Sequence, residues 1–289
     1  MKFGVSSYSF IGLVQEGELK QLEVMDKAKE MGFDTIEFIN FILEDGETEE
    51  DFAMKAYKKS KEIKLPIESY TIGADFLNGS GGNLNAEIQR VKNQVDIARL
   101  LGVNSMRHDA TIGFPKGHKE GRSFEDALPR LVEGYQAVTE YAAGFGIKTM
   151  VENHGFFCQD SQRVEQLVTT VNHPNFGVLI DIGNFVCVDE APEKAVGLLM
   201  PYAFHIHAKD FHIRSGMLPP PGEGWFESRG GNYLRGAIIG HGNVPILQCL
   251  KIMKKSGYDG VLSIEFEGLE DPILGISIGL NNLKRYLEM

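Results

Sequence analysis

The chain has 289 residues, 43% of them hydrophobic, and a formal net charge of −11. A single domain of this length buries about 75% of its unfolded surface, and the acidic balance disfavours a nucleic-acid partner, which would contact a basic surface. Three scattered cysteines without a CxxC pair, no apolar run near the ~20 residues of a membrane span and no signal-peptide pattern predict a cytoplasmic protein without a membrane partner.

Strand-like and helix-like segments alternate along the whole chain. Short β-rich apolar runs predict eight strands, at residues 3–8, 35–39, 67–72, 105–110, 147–153, 176–182, 203–209 and 260–266. Amphipathic segments between them predict eight helices, at residues 18–31, 49–63, 85–101, 123–145, 161–171, 192–200, 244–256 and 272–287. Strict alternation with short connections favours a parallel sheet.

Eight such units predict an α/β fold, a single-domain (β/α)8 TIM barrel over residues 1–289. Glycines such as Gly32 and Gly102 stand where a helix must end through a left-handed residue. No GxGxxG pattern follows the first strand, which disfavours a dinucleotide-binding fold.

One connection is unusually long. Residues 211–243 follow the seventh strand and contain three consecutive prolines and the only tryptophan, Trp225. Loops beyond about 12–15 residues in a compact domain are commonly functional. We therefore expect a long loop after strand seven that acts as an active-site loop or lid, with Trp225 among the substrate contacts.

Four consecutive strands carry a metal-binding side chain at or near their carboxyl ends: Glu152, Asp181, His207 and Glu265. All strands of a parallel barrel end on one face, so these groups would meet there. Two carboxylates about 4 Å apart repel by roughly 4 kcal/mol at an effective dielectric near 20, which favours a bound cation. Three carboxylates and one imidazole suit one divalent ion, either Mn²⁺, Mg²⁺, Co²⁺ or Zn²⁺. His205 would lie one layer deeper.

Such a metal would act as a Lewis acid on a sugar carbonyl and stabilise an enediolate. Glu152 and Glu265 could then remove and return the proton, as catalytic acid and base. Three further residues near strand ends are candidate substrate contacts: His108, His154 and Lys209. A surface salt bridge between Lys209 and Asp210 is the competing interpretation. The turn at residues 240–243 could hold an anion through its backbone N–H groups or simply lead into the next helix.

Four phrases carry a family resemblance: MVENH ending at His154, LIDIGN ending at Asn184, HIHAKD around His207, and LSIE ending at Glu265. With them, nearly the whole chain resembles the xylose isomerase-like TIM-barrel superfamily, which includes sugar isomerases, ketose 3-epimerases, inosose dehydratases and endonuclease IV. The resemblance implies metal binding by Glu152, Asp181, His207 and Glu265, with proton exchange by the two glutamates.

The resemblance also implies substrate contacts at positions where this chain differs from ketose 3-epimerases. Asn184 replaces a histidine, Cys158 replaces a glutamate, and Arg214 only approximates an arginine that follows the metal-binding histidine. The nuclease branch is disfavoured because it uses additional histidines and binds DNA.

These observations predict a metal-dependent sugar isomerase or epimerase that acts on a small sugar or polyol. A dehydratase or lyase of inosose or keto-sugar type, and a non-catalytic sugar-binding protein, are the alternatives. A homo-oligomer is also compatible with the sequence.

Overall fold

The computed structural model describes residues 1–115, 117 and 122–289. Its strands are β1 (Lys2–Ser6), β2 (Thr35–Phe38), β3 (Ile67–Ile72), β4 (Ser105–His108), β5 (Lys148–Glu152), β6 (Phe176–Asp181), β7 (Ala203–Ala208), β8 (Asp210–Arg214), β9 (Phe226–Glu227), β10 (Tyr233–Ala237) and β11 (Val261–Ile264). Its helices are α1 (Ile11–Gln15), α2 (Val24–Glu30), α3 (Glu49–Glu62), α4 (Leu84–Leu101), α5 (Phe124–Ala143), α6 (Ser161–Val171), α7 (Pro192–Leu199), α8 (Ile246–Lys255) and α9 (Pro272–Glu288).

Eight strands form a closed barrel in the order β1, β11, β7, β6, β5, β4, β3, β2. The pairing of β1 with β11 and of β4 with β5 is parallel. The predicted (β/α)8 TIM barrel is therefore confirmed. Internal contacts divide the chain into two compact units, residues 1–36 with 180–289, and residues 37–179. No helix in the described part of the chain is long and apolar enough to cross a membrane.

The first strand and helix differ from their predicted bounds. β1 ends at Ser6, whose side chain accepts a hydrogen bond from the Tyr8 amide and starts a 3-10 turn over Ser7–Phe10. The predicted helix at 18–31 is shortened to α2, and α1 precedes it. Gly17 has a φ of 77° after α1, so the backbone cannot continue as one helix through this point.

Helix ends elsewhere follow the predicted signals. The Ser123 hydroxyl accepts a hydrogen bond from the Asp126 amide, and the Asp126 carboxylate accepts one from the Ser123 amide. This reciprocal pair is a capping box, and α5 begins at Phe124, directly after Ser123. α4 ends at Leu101, and the next residue, Gly102, has a left-handed φ of 71°.

The connection predicted as a loop at 211–243 is partly a small antiparallel sheet with strand order β8, β10, β9. Arg214 pairs with Tyr233, and Asp210 pairs with Ala237 at the other end of the β8–β10 ladder. Leu234 is fully buried and supplies an apolar anchor for this sheet. The expectation of an irregular loop is corrected by this pairing, whereas the lid role stays a prediction.

Candidate metal centre

The four predicted ligands form one group. Each of Glu152, Asp181, His207 and Glu265 offers a ligand atom, and these atoms all lie within 4.8 Å of one another. Asp181 and His207 are at most 1% exposed, and Glu265 is 9% exposed. Buried carboxylates at such separations need compensating positive charge. Three carboxylates and one imidazole match the donor preference of Mn²⁺, Mg²⁺, Co²⁺ or Zn²⁺, so these residues fit a divalent ion.

The Asp181 carboxylate is oriented by the turn that follows β6. Its Oδ1 accepts hydrogen bonds from the amides of Gly183 and Asn184, at 2.8 and 2.9 Å. Position 183 requires glycine because an added Cβ would lie 2.6 Å from the Lys209 carbonyl oxygen. These contacts leave Asp181 Oδ2 directed toward His207 Nδ1, at 3.8 Å.

Glu265 follows directly after β11 and is positioned by its neighbours. Its amide donates to the Ala208 carbonyl oxygen at 3.1 Å. The Ser9 hydroxyl donates to the carbonyl of Ile264 and accepts from the amide of Phe266, so it holds the backbone on both sides of Glu265. Glu265 Oε1 then lies 3.7 Å from His207 Nδ1.

Lys209 lies among the acidic groups of this unit and is 3% exposed. Its Nζ contacts Glu265 Oε2 and lies 3.3 Å from Asp181 Oδ2 and 3.4 Å from Glu267 Oε1. It also donates to Asn184 Oδ1 at 3.3 Å. The predicted alternative, a surface salt bridge between Lys209 and Asp210, is therefore wrong.

The neighbours of Glu265 set the charge of its carboxyl group. Burial by itself raises the pKa of this carboxyl, but the Lys209 ammonium and the adjacent His207 imidazole outweigh burial and hold the pKa well below its usual range. Glu265 is therefore a carboxylate at neutral pH, which is the form required of a metal ligand or a base.

Glu152 ends β5, in the unit of residues 37–179, and is 4% exposed. Arg107 Nη2 lies 2.6 Å from Glu152 Oε2 and 2.8 Å from Asp109 Oδ1. A guanidinium is always charged, so this contact keeps a fixed positive charge beside Glu152. Sequence reasoning missed Arg107. Clustered carboxylates recruit cations, which indicates a cation near Glu152, but the sequence does not show which of Arg107 and His108 faces inward from β4.

His108 does not have the predicted substrate-facing position. Its side chain is fully buried, with its ring stacked on Tyr135 at 4.4 Å and edge-on to Phe76 at 5.5 Å. Arg107 and His108 point to opposite sides of β4, and the residue that reaches Glu152 is Arg107. The geometry does not support a substrate contact by His108.

His154 is half exposed, and its Nδ1 lies 2.9 Å from Asp109 Oδ1. Burial alone raises the pKa of Asp109, but Arg107 and His154 outweigh it and lower this pKa to about 2. Burial lowers the pKa of His154, but the hydrogen bond to Asp109 outweighs burial and raises it. His154 is thus held by an ionised carboxylate, which leaves its Nε2 as the ring nitrogen available for a ligand.

Three further residues singled out in the sequence, His205, Arg214 and Trp225, lie in different environments. His205 lies deeper and bonds Ser263 Oγ through Nε2 at 3.0 Å. Arg214 is exposed at the end of β8, and Trp225 packs beneath the Arg235 guanidinium at 5.5 Å. Among the described residues of the unit 1–36 with 180–289, no hydrogen bond, ion pair or ring contact joins Arg214 or Trp225 to Asp181, His207 or Glu265. Their substrate roles remain predictions.

The turn predicted as an anion site already holds a carboxylate. Asp210 accepts hydrogen bonds from the amides of Gly240, Gly242 and Val244, at 2.8, 2.9 and 3.1 Å. These N–H groups therefore bind the protein's own side chain, and they fasten the start of β8 to the segment that leads into α8.

The sequence is similar to one family model and to one protein from an archaeon. Residues 25–286 match the family model described as xylose isomerase-like TIM barrel. An uncharacterized protein of Methanocaldococcus jannaschii is 23% identical over 303 aligned positions, which cover all of this chain and 90% of that protein.

Two solved structures are similar in fold. An L-ribulose 3-epimerase gives a TM-score of 0.74 at 14% identity, over 99% of this chain and 94% of its own. The probable 3-DHS dehydratase AsbF from Bacillus anthracis gives 0.70 at 18% identity, over 98% and 99%. Because the family model spans most of the sequence, the chain belongs to the xylose isomerase-like TIM barrel family.

Proposed function

We propose that the protein is a divalent-metal-dependent isomerase or epimerase of a small sugar. The observation that carries this proposal is the buried group of Glu152, Asp181, His207 and Glu265, whose ligand atoms lie within 4.8 Å of one another. The similarity in fold to an L-ribulose 3-epimerase supports it. A bound metal would supply Lewis acidity that makes a proton next to a sugar carbonyl easier to remove.

Each of the two proposed catalytic glutamates contacts a different cationic side chain. Glu152 contacts the Arg107 guanidinium, which cannot release its proton, and Glu265 contacts the Lys209 ammonium, which can. In the proposed reaction one glutamate removes the proton and the other returns it. In this proposal Lys209 donates a hydrogen bond to a substrate oxygen that gains negative charge, and Asn184 supports the lysine through its Oδ1.

The proposal predicts that Glu152→Gln and Glu265→Gln each lower turnover by roughly 10²–10⁴-fold, because an amide cannot exchange the proton. The measurement is incorporation of solvent deuterium into a panel of ketoses by the Mn²⁺-loaded protein. Glu227→Gln, on the exposed strand β9, is the matched control and should keep the wild-type rate. Near-normal exchange in both active-site variants would contradict the proposal.

Elimination is the second candidate function, favoured by the similarity to the probable 3-DHS dehydratase AsbF. The same two glutamates would remove a proton and assist the loss of water. Product mass separates the two reactions, since elimination lowers it by one water molecule and epimerisation leaves the sugar intact. A non-catalytic sugar-binding protein would bind sugars and show neither product.

A further inference from the structure

A cavity lies at the carboxyl ends of three neighbouring barrel strands in the unit of residues 37–179. It has a volume of about 560 Å³ and is lined by Gly73, which follows β3, by Asp109, which follows β4, and by His154, two residues beyond β5. Small-molecule sites span roughly 300–1,000 Å³. Its volume is therefore that of a binding site.

A chain of polar contacts joins Glu152 to this cavity. Glu152 Oε2 contacts Arg107 Nη2 at 2.6 Å, Arg107 contacts Asp109 Oδ1 at 2.8 Å, and Asp109 contacts His154 Nδ1 at 2.9 Å. Asp109 and His154 both line the cavity. Glu152 does not itself line the cavity, but only the Arg107 guanidinium separates it from the lining carboxylate of Asp109.

The charges around the cavity disfavour anionic ligands. Three lining carboxylates, those of Asp75, Glu87 and Asp109, face a single lining guanidinium, that of Arg90. The Arg90 guanidinium already contacts protein groups, because its Nη2 lies 2.7 Å from Glu87 Oε1 and donates to the Gly73 carbonyl at 2.8 Å. A phosphate group would meet net negative charge here, so the cavity disfavours phosphorylated substrates.

The other lining groups suit a neutral sugar ring. The Asp109 carboxylate is a hydrogen-bond acceptor for hydroxyl groups, and His154 Nε2 is a further polar contact. Ile112, which is 78% exposed, supplies an apolar surface for the C–H face of a ring. This mixture of a few fixed polar groups and apolar surface is typical of small-molecule sites.

We propose that this cavity is the subsite for a second, uncharged sugar ring, so that the substrate is a keto-sugar glycoside rather than a sugar phosphate. The inference rests on the proposed function, because the reacting ring would lie at Glu152. It adds the size and the charge of the substrate, which the metal ligands alone do not specify.

Calorimetric titration of the Mn²⁺-loaded protein tests the subsite with three ketoses. Lactulose is a fructose unit that carries a neutral second ring, D-fructose lacks that ring, and D-fructose 6-phosphate carries a charge. We expect lactulose to bind at least about tenfold more tightly than D-fructose, and the phosphate to bind more weakly than either.

A matched pair of variants locates the second ring. Ile112→Trp should fill the cavity and reduce the ratio of lactulose to D-fructose affinity toward one, because Ile112 is largely exposed and tolerates a larger side chain. Met54→Trp, at a position in α3 that is 51% exposed and does not line the cavity, should keep the wild-type ratio. Equal melting temperatures would show that both variants fold.

The outcomes separate this inference from the proposed function. Equal affinities for lactulose and D-fructose, or preferred binding of the phosphate, would overturn the subsite even if deuterium exchange occurs. Tight lactulose binding that Ile112→Trp abolishes would support the subsite even if no exchange is found, and the proposed function alone would then fail.

Discussion

Arg107 and His108 are sequence neighbours with opposite environments. Arg107 contacts two carboxylates, whereas His108 is fully buried against Tyr135 and Phe76. Burial lowers the pKa of His108 to about 4, and the hydrogen bond to the Asp109 carbonyl only partly offsets this effect. His108 is therefore a neutral structural residue at physiological pH.

This burial predicts a pH-dependent stability. Between about pH 6.5 and pH 4 the unfolded chain binds a proton on this imidazole and the folded chain does not, so stability falls as the pH decreases. The loss from pH 7 to pH 5 should be about 2 kcal/mol. His108→Phe keeps the ring stacking and should remove this part of the pH dependence in urea unfolding. His241→Phe, at an exposed position, is the control, and equal slopes for all three proteins would contradict the assignment.

At the scale of elements, the sheet of β8, β9 and β10 is fastened to the segment after β6 by one side chain. Asp189 accepts hydrogen bonds from Ser228 Oγ at 2.7 Å, from Asn232 Nδ2 at 2.8 Å and from the Gly230 amide. Asp189 has a left-handed φ of 58°, which Asp and Asn tolerate better than other side chains. The Arg229 amide also donates to the Cys187 carbonyl oxygen at 2.8 Å, so the Asp189 carboxylate and one backbone hydrogen bond together hold the far end of the small sheet.

Removing that carboxylate should loosen the sheet without unfolding the barrel. Asp189→Ala is expected to speed limited proteolysis between β8 and β10 severalfold, because local opening controls cleavage of surface segments. Asp189→Asn keeps the residue type that suits the left-handed backbone and one acceptor oxygen, so its cleavage rate should lie between those of wild type and Asp189→Ala. Unchanged cleavage in Asp189→Ala would mean that β8–β10 pairing and the backbone hydrogen bond from Arg229 to Cys187 fix the sheet without the carboxylate.

Local sequence signals predicted most barrel elements, but they could not predict this sheet. β8 and β10 are separated by 18 residues, and their pairing depends on buried contacts such as that of Leu234, which are not local. The strand-end ligands were predictable because a parallel barrel gathers its strand ends. The contact of Arg107 with Glu152 was missed because the choice between residues 107 and 108 depends on the inward side of β4, which the sequence pattern left open.

At the scale of the whole molecule, closure of the barrel brings together the ends of strands that are far apart in sequence. Asp181 and Glu265 are separated by 84 positions, yet they belong to one group of candidate ligands. A ligand that binds only this folded arrangement stabilises the fold by mass action. Metal binding and global stability should therefore be coupled.

This coupling predicts a thermal shift. At a metal concentration about 100 times the dissociation constant, stabilisation should reach about 2.7 kcal/mol and raise the Tm of the chelator-treated protein by roughly 5–10 °C. The measurement is a calorimetric scan with and without Mn²⁺, Mg²⁺, Co²⁺ or Zn²⁺. Asp181→Asn weakens one ligand and should reduce the shift. The absence of any shift with all four ions would argue against the metal centre.

The attachment of the small sheet also matters for protein engineering. The four candidate ligands lie on or next to β5, β6, β7 and β11, and none lies in the segment between β8 and β10. That segment could therefore be replaced by segments of other lengths, provided that the partners of Asp189 are kept. The sequence predicts that this segment contacts substrate, so a library of such chimaeras, diversified over residues 215–225, would test whether the segment sets substrate preference.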